Sequence, residues 1–402
     1  MNGRERVRAA LEHRPVDRVP KDLGGMRSTG ISCFAHPGLR RALGLPYAAP
    51  RVYDSSQMLA LPETDLLDAL DCDVVTVELD GMTNTSADGD GWQPYDFGGR
   101  LPALVRDPTI YREGPDGAIM HAAGDEDWRM PPSSFVFDLL HGGEPVDFTV
   151  DPASPDPVTT KRALAARAVR DDDVLRLESR LRRVRDESDR AIFLGANLGT
   201  LGFPGGMAAW SMLCLLDPDA AAEHLSLLAD AAVKNFRTVF SRVSGLADIV
   251  LVAADDQGTQ QSTILSPDIF RSLYVPAYRR INDAIHGSDS RVKTFLHSCG
   301  AIYDILDCVV DAGFDVLNPV QWNAGGHPYS DWKAKTAGRI ALWGGGVNTQ
   351  STLPLGSIED LETEVRSISK VLAAGSGWVF CAIHNLLAEI PPEKIIALYR
   401  SV

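Results

Sequence analysis

Apolar positions along this chain gather into eight short runs, at residues 17–23, 73–79, 191–195, 248–253, 292–296, 314–318, 340–344 and 378–381. Most are apolar almost throughout, the mark of strands buried on both faces. Between them, apolar residues recur at helical spacing. Val7, Ala10 and Leu11 make an amphipathic opener within 1–13, and helical patterning follows around 39–43 and 63–70. Further helical stretches fall at 157–170, 172–188, 217–243, 267–286, 301–312, 328–337, 357–374 and 392–401. Strands alternating with helices predict an α/β fold, a (β/α)8 TIM barrel, with a doubly wound sheet as the competing arrangement.

Residues 80–150 break that rhythm. They are rich in Gly, Asp and Trp, and 110–112, the Gly-Pro-Asp-Gly at 114–117 and 118–121 read as a β-hairpin. The excursion leaves from the second strand and the alternation later resumes. The expectation is a single barrel domain over 1–402 with a β-rich insertion at 80–150. Because the second strand ends at the barrel mouth, the insertion is expected to form part of a lid or docking rim.

The carboxyl ends of barrel strands build the active site. Here they carry Arg27, Glu78 and Asp80, Asn197, Asp255 and Asp256, His297 and Cys299, Asn318 and Gln321, Asn348, and finally Cys381, His384 and Asn385. So many acids, amides, imidazoles and thiols facing one mouth predict an enzyme. Arg27 suits recognition of a substrate anion. Asp255 and Asp256 suit either a turn cap or a catalytic role, and Asn197, Asn318, Gln321 and Asn348 are candidate substrate contacts. The glycines at 344–346 lack the Lys-Ser/Thr of a phosphate loop and fit close backbone approach instead.

The richest stretch is Val292-Lys-Thr-Phe-Leu-His297-Ser-Cys299-Gly300. Positions i and i+2 of a strand project to one side, so His297 and Cys299 are neighbours and form half of a tetrahedral zinc site. A net charge of −15 argues against a nucleic-acid surface. No run reaches transmembrane length and the N-terminus lacks a signal-peptide plan. Cysteines at 33, 72, 214, 299, 308 and 381 form no disulfide framework, so a reducing cytoplasm is expected.

The opener Arg-x-Ala-Leu-x-x-x-x-x-Asp-Arg-Val-Pro, ending at Pro20, and the closing His384-Asn-x-x-x-x-x-Pro-Pro-Glu-x-x-x-x-Leu-Tyr resemble the uroporphyrinogen decarboxylase (URO-D) superfamily. That superfamily includes zinc methyltransferases serving corrinoid proteins. The resemblance implies a (β/α)8 barrel, a homodimer and two candidate activities. The decarboxylases resemble this chain at Met26-Arg27-x-x-Gly30, but Ile31 stands where they have a second arginine for substrate propionates. Their aspartate after the second strand corresponds to Asp80, or in a poorer match to Glu78, and their late histidine to His384. The methyltransferase branch binds zinc through His-x-Cys, matched by His297 and Cys299, and a later cysteine. His384 occupies that last place, with Cys381 three residues earlier. The favoured expectation is a zinc-dependent methyltransferase moving a methyl group between a corrinoid on a partner protein and a thiol or similar small acceptor. The alternatives are decarboxylation of a porphyrinogen or other polycarboxylate through Arg27, Asp80 and His384, or a non-catalytic small-molecule-binding barrel.

Overall fold

The computed structural model describes residues 1–79, 91–114, 116–123, 126–139 and 155–402. Seven parallel strands form one curled sheet, each bonded to the next in chain order: β1 (Val74–Glu78), β2 (Ala191–Gly195), β3 (Ile249–Ala254), β4 (Lys293–His297), β5 (Val316–Asn318), β6 (Ala341–Trp343) and β7 (Trp378–Val379). They are the second to eighth of the expected strands. The first is reduced to a single parallel bridge, Lys21 to Phe380. Phe380 N donates to Pro20 O, Asp22 N to Phe380 O, and Asp73 N to Lys21 O, each at 2.8 Å, so residues 20–22 lie between β7 and β1 and close the TIM-barrel-like fold. Pro20 has no N–H to extend the ladder, which limits how long this strand can be.

Alternation along the strands sorts side chains into two sets. Val74, Ala191, Phe193, Ile249, Leu251, Phe295, Val316, Trp343 and Cys381 form a cluster inside the barrel, which Val7 and Leu11 of the N-terminal helix Gly3–Leu11 join. Ile192, Val250, Leu296, Leu317 and Leu342 point outward into the core shared with the helices, of which Pro218–Val243 and Val275–Ser288 pack closely together. On three strands the last inward position, two residues beyond the one before it, is a polar or titratable side chain. Phe295 leads to His297, Val316 to Asn318, and Thr76 to Glu78. The chemistry-bearing layer is thus the top rung of the barrel's own packing.

Asp22 is fully enclosed below that layer and accepts hydrogen bonds from Gly25 N and Trp343 Nε1, both at 2.8 Å. Burial pushes its pKa up to about 6 despite those donors. A carboxyl whose folded pKa lies above its unfolded value, roughly 3.9, contributes fully below about pH 4 and loses that contribution as pH rises through about 6. Asp22→Asn cannot ionise. Its stability relative to the native chain is expected to improve by about 3 kcal/mol between about pH 4 and pH 8, read from denaturant titrations. A difference flat across that range would contradict the buried, protonatable state.

The insertion is β-rich, as expected. The hairpin pairs Tyr111 with His121 and Glu113 with Ile119, and it belongs to a four-stranded antiparallel sheet with Glu126–Met130 and Asp138–Leu139. A second hairpin pairs Gln93–Asp96 with Pro102–Val105. Phe137 N donates to Ser56 O at 2.9 Å, tying residues 131–139 to the barrel mouth. A small antiparallel sheet of Ile31–Ser32, Val52–Asp54 and Leu59–Ala60 and the helix Met207–Leu216 complete features the pattern did not announce.

Candidate metal centre

His297, Cys299 and His384 come together at the barrel mouth, with one ligand atom from each lying within 4.8 Å of the others. His297 Nε2 is 3.4 Å from Cys299 Sγ, and the two imidazole rings are 6.1 Å apart at their centres. Zinc bonds of about 2.0–2.3 Å to nitrogen and sulfur put tetrahedral neighbours roughly 3.3–3.8 Å apart, so the closest pair already has the right separation.

The backbone explains why these groups meet. Gly300 has φ +93°, and a Cβ there would fall 2.3 Å from Gly258 C, while one at Gly258 would fall 2.6 Å from Ala301 N. Only two bare backbones can press together so closely. Their contact brings the loop after β3 against the loop after β4, where Asp256 Oδ1 accepts the Cys299 N–H at 2.7 Å. The same oxygen lies 3.6 Å from His297 Nε2. On the far side, Gln321 Oε1 accepts the Gly300 N–H at 2.7 Å, so the Cys299 turn is pinned from both directions.

Asn318 sets the state of His297. Its Nδ2 donates to Trp343 O at 3.0 Å, which turns Oδ1 toward His297 Nδ1 at 2.6 Å. The imidazole therefore carries its proton on Nδ1 and presents a bare Nε2 lone pair to Cys299 and His384, the arrangement that metal-binding histidines use. Burial lowers the pKa of His297, and burial followed by the His297 charge lowers that of His384 to about 4. Both rings are neutral near pH 7, as metal ligation requires. Burial, and then Asp256, push the Cys299 thiol well up. A cation in the cluster would favour the thiolate and reverse that effect. The donor set fits zinc.

The other expected residues are placed differently. Cys381 is buried one layer deeper, in the barrel-interior cluster, and does not join the three donors. Asp80 lies outside the described residues. Asp255 is buried and accepts from Leu201 N at 3.3 Å, Gly202 N at 2.9 Å and Tyr278 Oη, so it braces the loop after β2. Asn197, with φ +50°, accepts from Ala254 N at 2.7 Å through Oδ1. Asn348 Oδ1 accepts from Gln350 N at 2.9 Å and Ser351 N at 3.2 Å. Arg27 does not offer a free charge: it donates from Nε and Nη2 to the two oxygens of Glu78 at 3.0 and 2.8 Å, and from Nη1 to Asp54 at 2.9 Å. The absent Cβ of Gly195 leaves room for this pair, because a Cβ there would lie 2.9 Å from Glu78 Cγ. Ser28, which nothing in the sequence singles out, places Oγ 3.3 Å from His297 Nε2.

Two cavities flank the cluster. A chamber of about 600 Å³ has His384 in one wall and insertion residues Trp128 and Phe137 in another. A smaller one of about 180 Å³ is lined by Arg27, Ser28, Glu78 and Asn197, and Gln57 borders both.

Fold and site together define a TIM-barrel-like protein with a His/Cys/His donor set at the carboxyl ends of its strands. The family described as Uroporphyrinogen decarboxylase (URO-D) matches residues 193–402, over half of the chain, and the chain belongs to it. It is similar to the uroporphyrinogen decarboxylase of Syntrophotalea carbinolica, 25% identical over 223 residues that make up 52% of this chain and 60% of that enzyme. The Idiomarina loihiensis enzyme is 24% identical over 270 residues, 62% of this chain and 70% of its own. Among solved structures, a methyltransferase from Methanosarcina mazei shares the fold at a TM-score of 0.52 and 17% identity, with 100% of this chain and 98% of that one aligned. Among the described residues, no helix is long and apolar enough to cross a membrane.

Proposed function

We propose that this chain is a zinc-dependent methyltransferase that moves a methyl group between a corrinoid carried by a partner protein and a small-molecule thiol or similar acceptor. The observation that carries this reading is the convergence of His297, Cys299 and His384 within 4.8 Å, with the His297 tautomer set by Asn318. These three residues would hold the metal and leave one position open to the small molecule. When bound, zinc supplies a Lewis acid that keeps a thiol deprotonated near neutral pH. The protein's own part is to keep both imidazoles neutral through burial, to hold the proton on His297 Nδ1, and to present His384 at the edge of the large chamber.

Decarboxylation of a porphyrinogen is favoured by the names of the similar enzymes, and disfavoured by charge. A polyanionic substrate needs several free cations. Arg27 is already held by two carboxylates, and Ile31 is buried in a strand. No lysine or arginine lines the large chamber, and residues 80–90 and 140–154 contain none either.

The test is to offer the zinc-loaded protein methylcobalamin with a thiol, and separately uroporphyrinogen. Zinc-dependent loss of the cobalt-bound methyl, with no carbon dioxide released from the porphyrinogen, is the expected result. Porphyrinogen turnover by metal-free protein would overturn the proposal.

A further inference from the structure

The large chamber beside His384 indicates what kind of molecule the site takes. Its wall comes from three parts of the chain: Ser56, Gln57 and Leu59 at the small antiparallel sheet, Trp128, Phe135 and Phe137 from the insertion, and His384 and Leu387 from the loop after β7. The insertion side is anchored. The Arg100 guanidinium lies over the rings of Phe34 and Phe135, 5.2 and 5.4 Å from their centres, and donates to Pro131 O and Ser134 O. Phe34 and Phe135 also meet edge-on at 5.0 Å. These contacts fix residues 131–137 as a wall rather than a loose flap.

Several of the polar side chains along the chamber are engaged with the protein. Asn385 accepts from Gly30 N at 2.8 Å and donates to Gln57 Oε1 at 2.9 Å. Ser56 donates to Asp54 at 2.9 Å, and Ser134 to Val136 O at 3.0 Å. Phe135, Val136 and Leu387 are nevertheless 39%, 39% and 45% exposed, so the apolar surface they offer is open to a ligand. The one charged side chain among the lining residues is Glu389, a carboxylate that repels an anion. An apolar cavity of about 150 Å³ accommodates a benzene ring, so about 600 Å³ is far more than a one-carbon compound or a short thiol fills.

From this we infer that the small molecule handled here is neutral and largely apolar, of one or two rings, its body held between the insertion wall and Leu387 with its reacting end at His384. The inference rests on the methyltransferase reading for that reacting end. The chamber itself is independent of the metal, which lets the two be tested apart.

Calorimetric titration of the full chain, zinc-loaded and chelator-treated, with 1,2-dimethoxybenzene and 3,4-dimethoxybenzoate isolates the effect of charge on one ring. The neutral probe is expected to bind at least about tenfold more tightly, since a like charge placed near Glu389 on an apolar wall is costly. Val136→Asp is expected to weaken the neutral probe about tenfold with zinc content unchanged, and Leu387→Lys to narrow the preference. Both positions are partly exposed, so the variants test the wall and not the fold. Equal or tighter binding of the carboxylate by the native chain, or no binding of the neutral probe, would overturn the inference. Zinc present without ring binding sinks the ring-sized substrate and leaves the metal reading standing. Ring preference in a chain that never binds zinc does the reverse.

Discussion

Cys299→Ser and His384→Ala are each expected to leave the protein unable to retain zinc through dialysis, while Cys381→Ala retains it in full. Removing a direct ligand costs more than the roughly 10–100-fold in affinity lost with an outer partner. Asn318→Leu supplies that milder case, because without Oδ1 nothing holds the His297 proton on Nδ1. Its zinc affinity is expected to fall by about 10–100-fold with the three donors intact. Metal content by mass spectrometry and competition with a chromophoric chelator measure both effects. Loss of zinc in the Cys381 variant, or full occupancy in the Cys299 variant, would show that the metal is held elsewhere.

Arg27→Gln is expected to destabilise the protein by about 3–5 kcal/mol in denaturant unfolding, because it leaves two carboxylates near each other without their cation. Glu78 and Asp54 side chains are only 8% and 4% exposed, so solvation compensates poorly for the lost guanidinium. Adding Glu78→Gln to the first change is expected to recover part of the loss, since one of the stranded charges is then gone. An Arg27 held in reserve for a substrate anion would behave otherwise. Its removal would scarcely affect stability, and the double variant would show no coupling.

Much of the barrel was legible because burial on both faces leaves a strong mark. Runs such as Ile-Val-Leu-Val and Ala-Leu-Trp are short, apolar throughout and set between helical patterns, which suits strands covered on both faces. The first strand was legible in position but not in extent, since Pro20 ends its ladder as soon as it forms. The helix Met207–Leu216 escaped notice because its apolar residues surround the axis, with Trp210 and Leu213 buried and Leu215 and Leu216 exposed. A helix apolar all round has no 3.6-residue stripe to detect.

The site divides along the same line. His297 and Cys299 are neighbours by strand geometry, which spacing reveals directly. His384 and Cys381 lie three residues apart, and choosing between them required knowing which rung each side chain occupies. The amides at Asn197, Asn318, Gln321 and Asn348 could be seen to gather at the mouth. Their partners are backbone N–H groups in Asn197, Gln321 and Asn348, and the ring of His297 in Asn318. The pairings of Asn197, Asn318 and Gln321 join distant segments, so no local pattern encodes them, whereas Asn348 holds its own turn through Gln350 N and Ser351 N. Arg27 illustrates the same limit, since its partner Glu78 is 51 positions away.

The most direct measurement is diffraction from crystals of the protein purified with its native metal, recorded on either side of the zinc absorption edge. The expected result is one anomalous peak per chain, within about 2.0–2.3 Å of His297 Nε2, Cys299 Sγ and a His384 ring nitrogen. A zinc peak bound by other residues, or stoichiometric protein with no peak at this cluster, would contradict the proposed metal centre.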